Sequence, residues 1–300
     1  MMAALEPLAA HQLIREGSQH LQDVAGMERA RGEAEWLLAS LLRVTPLEVY
    51  LDEACVAPAI AEQFFAWIER RTQGVPLQYL TGEAEFFGRT FEVKPWVFIP
   101  RPETEAVVEQ ALTALRARQA KAGRPLRLLD LGTGSGCIAV TLAGALPACL
   151  VVGIEVSWTT LSVARRNVRR HGLDGRIRLV QGRWLEPIRG RVDAVVSNPP
   201  YVPTGQIDRL PPDVRQEPRL SLDGGRDGLR DLEHLLAASP RALLPGGLLV
   251  MECGEEQVEP LRRQAVGASW VSTVTPLRDL AGRPRGILAV AGERVGHEPS

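Results

Sequence analysis

Leu126-Arg127-Leu128-Leu129-Asp130-Leu131-Gly132-Thr133-Gly134-Ser135-Gly136 is the stretch that decides the fold. Residues 126–130 form an apolar run of strand length, and three alternate glycines follow at once. Small and apolar residues then continue to 145 and read as a helix. A glycine turn between a strand and a helix brings backbone N–H groups close to a ligand.

Outward from that turn, strands are expected at 149–155, 177–180 and 193–197, with a helix over 159–171 between the first two. A loop rich in Pro, Asp and Gly spans 202–228. Beyond it the pattern predicts a helix over 229–243, a strand at 247–252, a helix over 257–265 and closing strands at 270–276 and 286–291. Alternation of this kind implies an α/β domain with a mostly parallel sheet and helices on both faces. We place that domain at 98–300. It opens on Phe98-Ile99-Pro100-Arg101-Pro102-Glu103-Thr104-Glu105, where two prolines around an arginine make a stiff, extended approach to a helix over 104–118. Residues 74–97 read as a β-hairpin linker, because residues 86–93 alternate around a glycine-containing turn. Residues 1–73 read as a helical domain. Ala34, Leu37, Leu38, Leu41 and Leu42 make one stripe, and Ile60, Phe64, Trp67 and Ile68 another. Thr45-Pro46-Leu47-Glu48 is a capping box. A helical domain with no chemistry of its own recognises a partner or covers a site, and the pattern leaves both open.

The glycine spacing is G-x-G-x-G, whereas the dinucleotide fingerprint would put its third glycine at Cys137. Glu155 closes the next strand, where an acidic side chain accepts from both ribose hydroxyls. That combination favours S-adenosylmethionine over NAD. Trp184 follows the third strand and is placed to cover an adenine face. The fourth strand ends in Asn198-Pro199-Pro200-Tyr201. Neither proline has an N–H to donate, so the turn is stiff and its carbonyls stay free as acceptors. It stands at the C-terminal edge of the sheet, where open α/β sheets bind ligands. One amide, bare carbonyls and an aromatic face suit a planar group carrying –NH2, either a carboxamide or an amino-base.

Composition narrows the rest. Formal net charge is −1, which steers neither nucleic acid nor an anionic membrane. The four cysteines are scattered, without a C-x-x-C pair, which fits buried thiols in a reducing compartment rather than a disulfide frame or zinc site. The histidines are scattered too, and no metal is expected. Glu6 and Pro7 stand where a signal peptide needs an apolar core, and no apolar run reaches the ~18 residues of a membrane span. A cytoplasmic protein is expected.

From residue 77 to the C-terminus the chain resembles the HemK/PrmC-like N5-glutamine methyltransferases of peptide-chain release factors. The motifs are Leu80-Thr81-Gly82, Glu85 to Gly88, Phe98 to Glu105, Asp130 to Gly136, Asn198 to Tyr201, Glu217-Pro218, and Leu222 to Gly225 with Asp227-Gly228-Leu229. The resemblance implies a class I S-adenosylmethionine-dependent, Rossmann-like domain with a seven-stranded sheet, after a small helical domain and a hairpin linker. It implies that Gly132, Thr133, Gly134, Ser135, Gly136 and Glu155 bind the cofactor, with Trp184 near adenine. Asn198 would touch both cofactor and substrate. Asn198, Pro199, Pro200 and Tyr201 would hold the target glutamine of a Gly-Gly-Gln loop. There the Asn198 side-chain oxygen and the Pro199 carbonyl accept the amide hydrogens, and Tyr201 stacks on the amide plane. The products would be the methylated release factor and S-adenosylhomocysteine. The helical domain would recognise the release factor, and the enzyme would act as a monomer. Arg183 departs from the family, which commonly has an acidic residue there. Adenine-N6 methyltransferases of nucleic acid and ribosomal-protein glutamine methyltransferases share Asn-Pro-Pro-Tyr and are the alternatives. The former would need a basic target-recognition region, which the net charge argues against.

Overall fold

In a computed structural model of the protein, residues 8–51 and 55–293 are described; Glu6 and Pro7 lie outside them. By contacts the chain divides into two units. One holds the residues up to Glu83 together with Pro211–Gln216, and the other runs from Ala84 to Leu210 and from Glu217 onward.

The first unit contains β1 (Leu8–Ala9), α1 (Ala10–Ala25), α2 (Ala30–Leu42), α3 (Glu48–Leu51), β2 (Cys55–Val56), α4 (Pro58–Thr72) and α5 (Leu77–Thr81). Both expected stripes turn inward: Leu37 and Leu38 of α2 and Phe64 and Ile68 of α4 share one core with Leu13 and Leu21 of α1. The capping box forms, with Thr45 N–H on Glu48 at 2.7 Å and Glu48 N–H on Thr45 Oγ1 at 3.4 Å. Gly17 lets α1 and α4 approach closely, since a Cβ there would lie 2.6 Å from the Phe64 ring. The detached segment is tied in by the buried Arg71, which pairs with Glu33 and, at 3.5 Å, with Asp213.

The second unit begins at Ala84, within the first hairpin strand β3 (Glu83–Phe86), and continues with β4 (Arg89–Glu92) and α6 (Pro102–Ala122). The doubly wound part follows: β5 (Leu126–Leu131), α7 (Cys137–Ala145), β6 (Cys149–Glu155), α8 (Trp158–Arg170), β7 (Ile177–Gln181), β8 (Val192–Ser197), α9 (Arg230–Ala238), β9 (Leu243–Glu252), α10 (Glu255–Gly267), β10 (Val271–Arg278) and β11 (Pro284–Ala291). The sheet has seven strands in the order β10-β11-β9-β8-β5-β6-β7. Only β11 runs against the others, pairing antiparallel with β9 and β10. This is the class I methyltransferase architecture that the resemblance implied. The parallel strands are buried on both faces, as such sheets require. On one face Leu128, Val151 and Val196 pack with residues of α6, α7 and α8. On the other, Leu129, Val195 and Leu249 pack with α9 and α10.

Three boundaries differ most from expectation: residues 77–81, expected within the hairpin linker, form α5 of the first unit; the helix expected over 104–118 runs over Pro102–Ala122; and the third lies before β9. The helix predicted to reach 243 ends at Ala238, passes through a 3-10 turn at Ser239–Arg241, and gives way to β9 already at Leu243. Pro240 has no N–H for an α-helical bond. Leu243 is drawn into the sheet by pairing with Val192, and the register shifts by Ala194↔Leu248.

Phe64→Ala empties the centre of the helical core. It is expected to cost ~3–5 kcal/mol. Denaturant titration followed by circular dichroism should show the helical transition moved to lower denaturant; an unmoved midpoint would contradict this core assignment.

Candidate active site

The chain leaves β5 through three glycines in the left-handed region, Gly132 (φ 71°), Gly134 (φ 56°) and Gly136 (φ 83°). A side chain at these positions is strained, so the alternation of glycines is what permits the turn. Asp130 latches it from below: its Oδ2 accepts from the Thr133 hydroxyl at 2.5 Å and from Ala139 N–H at 3.0 Å. Burial pushes the Asp130 carboxyl up to about 7, with those two donors pulling it back. Glu155, at the end of β6, accepts from Gly134 N–H at 3.2 Å and from Ser157 N–H at 3.0 Å. Burial raises its pKa as well, against the same backbone donors.

A cavity opens over this turn. It is lined by Gly132, Thr133, Gly134 and Ser135, by Glu155, by Arg183 and Trp184, and by Asn198 and Pro200. Trp184 lies across Gly132, its ring 3.5 Å from where a Cβ would sit. Its Nε1–H is buried without a hydrogen-bond partner among the described residues. Phe98, Pro100 and Thr104 complete the wall from the segment before α6 and its first turn. That segment is fixed by Glu217, which is buried, takes Ile99 N–H at 2.9 Å and pairs with Arg101.

Asn198 follows directly on β8, and Ser197 before it donates to Leu131 O at 2.7 Å. The Asn198 side chain donates through Nδ2 to Thr104 Oγ1 at 3.1 Å. The backbone beyond is gripped by the following loop. Val202 bridges the residues on either side of Asp223: its N–H donates to Leu222 O at 2.8 Å, and its carbonyl accepts from Gly224 N–H at 2.9 Å. Gln257 Nε2 donates to Tyr201 O at 2.8 Å. Gly224 and Gly228 are needed because a Cβ on either would fall within 2.7 Å or less of the Tyr201 backbone.

Similar proteins are known. A family model described as PrmC N-terminal domain matches residues 12–82, and one described as Methyltransferase small domain matches 109–210. The release factor glutamine methyltransferase of Moorella thermoacetica is 45% identical over 272 residues, covering 89% of this chain and 94% of that protein. The chain belongs to the release factor glutamine methyltransferase family. The member from Geobacter sulfurreducens is 41% identical over 274 residues, covering 90% and 92%. Among solved structures, a methyltransferase from Pyrococcus furiosus superposes with a TM-score of 0.51 at 21% identity, over 69% of this chain and 90% of that one. That last likeness bears on the fold.

Set against the residues expected from sequence, the cavity gathers Gly132 to Ser135, Glu155, Trp184, Asn198 and Pro200. Gly136, Pro199 and Tyr201 are not among its lining groups. The Tyr201 ring packs against the apolar cluster under the sheet, and its hydroxyl donates to Glu252 Oε1 at 3.1 Å. Burial and the Glu252 charge both raise the Tyr201 pKa. Thr104, Glu252 and Gln257 were not singled out in the sequence. Thr104 lies inside the run from Phe98 to Glu105, but no local pattern marks it as a partner of a residue 94 positions away. Arg183 stands exposed on the cavity wall. Among the described residues no cluster of His, Cys, Asp and Glu could hold a metal ion, and no helix is long and apolar enough to cross a membrane.

The raised Asp130 pKa has a consequence for stability. Between about pH 4 and about 7 the native chain keeps a proton that the unfolded chain has lost, so this group lowers stability as pH rises through that window. Asp130→Asn removes the titration while keeping an acceptor for Thr133. Its melting temperature relative to wild type is expected to rise from pH 4.5 to pH 7.5; a constant difference would show that Asp130 does not titrate there.

Proposed function

We propose that this protein transfers a methyl group from S-adenosylmethionine to the side-chain amide nitrogen, N5, of the glutamine in the Gly-Gly-Gln motif of peptide-chain release factors. The observation that carries the reading is that the glycine turn with Glu155 and the Asn-Pro-Pro turn open onto one cavity. The first is built for a ribose and its backbone-bound tail, the second for a planar amide.

The residues fit the cofactor. Glu155 is held toward the cavity by Gly134 and Ser157 N–H groups and presents a charge-assisted acceptor for ribose hydroxyls. Glycine backbone allows close approach, and Trp184 offers an aromatic wall for adenine. When bound, S-adenosylmethionine supplies an electrophilic methyl group on a cationic sulfonium. The protein has to hold the glutamine nitrogen on line with it. The Asn198 side-chain oxygen accepts an amide hydrogen, which draws the nitrogen lone pair out of conjugation and stabilises the charge that develops on it. Positioning of this kind contributes ~7–11 kcal/mol in favourable cases. Tyr201 secures the turn from beneath through Glu252. The first unit, a packed helical body without catalytic groups, supplies the contact to the rest of the release factor. The enzyme works as a monomer and without nucleic acid.

Mass spectrometry of a release factor incubated with the protein and labelled cofactor is expected to find one methyl group on the Gly-Gly-Gln glutamine. Asn198→Ala should lower kcat by ~10²–10³ with the fold intact. A label elsewhere, or an Asn198→Ala enzyme with more than about a tenth of wild-type kcat, would contradict the reading. Glu155→Ala is expected to weaken cofactor binding at least tenfold, corresponding to ~1.5–3 kcal/mol, and calorimetry showing unchanged affinity would remove the ribose role.

A further inference from the structure

Parallel strands are joined by crossovers that usually carry helices, and those helices keep both faces of the sheet dry. Here α7 joins β5 to β6, α8 joins β6 to β7, and α9 lies between β8 and β9. The crossover from β7 back to β8 has no helix. Residues 182–191 are turns and irregular chain, although they return past β6 and β5. Leu185 and Ile188 of this connection pack in one cluster with Leu129 and Val152. The beginnings of β5, β6 and β7 on the same face are left without a cover. Leu150 records this. It belongs to β6, which has a strand on either side, and it points to the same face as Val152 two residues on. A position of that kind is ordinarily dry, yet Leu150 is 51% exposed.

A groove of about 410 Å³ lies over this floor. Its apolar strip holds Leu150, Val152 and Ile188, and its rim holds Arg127, Arg176, Arg178, Arg189 and Arg191. No acidic side chain is among the lining groups. The strand registers set Arg127 beside Leu150 and Arg178 beside Val152, so charge flanks the strip on both sides. Arg176 donates to Leu146 O at 3.0 Å and Arg189 to Glu186 O at 2.8 Å, which anchors both guanidinium groups without neutralising them. The carboxylate behind Arg127 is Asp193, which is buried and already engaged by Arg118 at 3.1 Å and Arg124 at 2.8 Å. Asp174 and Glu186, exposed near the rim in sequence, could offset only two of the five arginines. The whole chain has a formal net charge of −1, so the excess is local.

A wet leucine strip between rows of like charge is unfavourable by itself. An occupant that brings apolar groups to the strip and carboxylates to the rim relieves both costs. From β5 to β7 the floor is about 10 Å across, which matches about two turns of helix. RNA suits the groove less well. No aromatic side chain lines it to stack a base, and phosphates on the rim would leave Leu150 wet. We propose that this uncovered face of β5, β6 and β7 is a docking surface for an acidic amphipathic helix of a partner protein, which takes the place of the missing crossover helix. The groove lies at the starts of the strands, whereas Gly132 and Asn198 follow the ends of β5 and β8. Docking is therefore separate from methyl transfer, and the proposal stands or falls apart from the function above.

The test is a titration of the full-length protein, followed by fluorescence anisotropy, with a labelled helical peptide carrying leucines at i, i+3, i+4 and i+7 and glutamates beside them. The comparison ligands are the same peptide with lysine for glutamate and a labelled single-stranded RNA. The glutamate peptide should bind at least about tenfold more tightly than the lysine peptide, and its affinity should fall as salt rises. The double variant Arg127→Glu with Arg178→Glu should weaken it at least about tenfold, and so should Leu150→Asp. Arg169→Glu, on α8 against the opposite face, should leave it unchanged, and cofactor affinity and melting temperature should be unaltered in all of them. If Leu150→Asp does not fold, the exposed arginine pair carries the test. Absence of glutamate-peptide binding up to about 1 mM overturns the proposal. So does equal binding of both peptides, which would make the groove merely apolar. RNA that binds and is lost with the arginine pair would make it a nucleic-acid site instead. Sedimentation velocity that finds a dimer, dissociated by the same pair, would make it an interface between copies of this chain.

Discussion

Leu131 and Ser197 lie opposite one another in the parallel pairing of β5 with β8. The chain runs outward from β5 through β6 and β7, then returns to the other side of β5, so strand order reverses between these two neighbours. At such a switch point the two connecting turns diverge and leave a crevice at the C-terminal edge. Here one turn is the glycine run from Gly132 and the other is Asn198-Pro199-Pro200. The Ser197 hydroxyl on Leu131 O at 2.7 Å fastens the two strand ends together just before they part. A cofactor turn and an amide-binding turn are thereby set side by side on rigid strands, with stiff backbone after each.

Three carboxylates stand at that edge, Asp130 and Glu252 buried and Glu155 half-buried, and they are kept for different reasons. Burial raises the pKa of Asp130, Glu155 and Glu252 alike. Glu155 is compensated by backbone N–H groups and faces the cavity. Asp130 turns away from it, holding the glycine turn through Thr133 and Ala139, and its Oδ1 is left without a partner. Glu252 takes the Tyr201 hydroxyl on Oε1, and its Oε2 has no hydrogen-bond partner among the described residues. An uncompensated buried carboxylate is costly. The chain tolerates two of them behind its site because each orders a turn that backbone sterics alone would leave loose.

Much of this was legible in the sequence, because the strands are apolar runs bounded by turn residues. The strand expected at 149–155 is β6 to the residue, and the hairpin turns at Phe87-Gly88 as its alternation implied. The glycine turn, Glu155 and Asn198 were found because strand ends of a doubly wound sheet have known chemistry. What escaped was decided by partners distant in sequence. Tyr201 follows two prolines and offers an aromatic face, but Glu252 draws its hydroxyl under the sheet. Residues 211–216 look like ordinary loop, yet they join the helical unit because Arg71 reaches Asp213 and Gly74 leaves room for Pro212. No local period records either contact.

The chemistry of the cavity points the same way as its geometry. Its ionisable lining groups are Glu155, Cys137, Arg183, Arg230 and Asp231. Glu155 is engaged by backbone donors, and Arg230 and Asp231 pair with one another at 2.7 Å. Burial pushes the Cys137 thiol up to about 12, so it stays protonated and is a poor nucleophile. The groups nearest Asn198 are a hydroxyl, two prolines and a backbone turn. A site of this make-up is suited to fixing a weak nucleophile in place more than to moving protons for it. A glutamine amide is such a nucleophile, and its methylated form is acidic enough to lose its proton to solvent. The demand on the protein is then orientation to within a fraction of an ångström, which is the demand that two prolines, and Gly224 and Gly228 packed against their turn, are suited to meet.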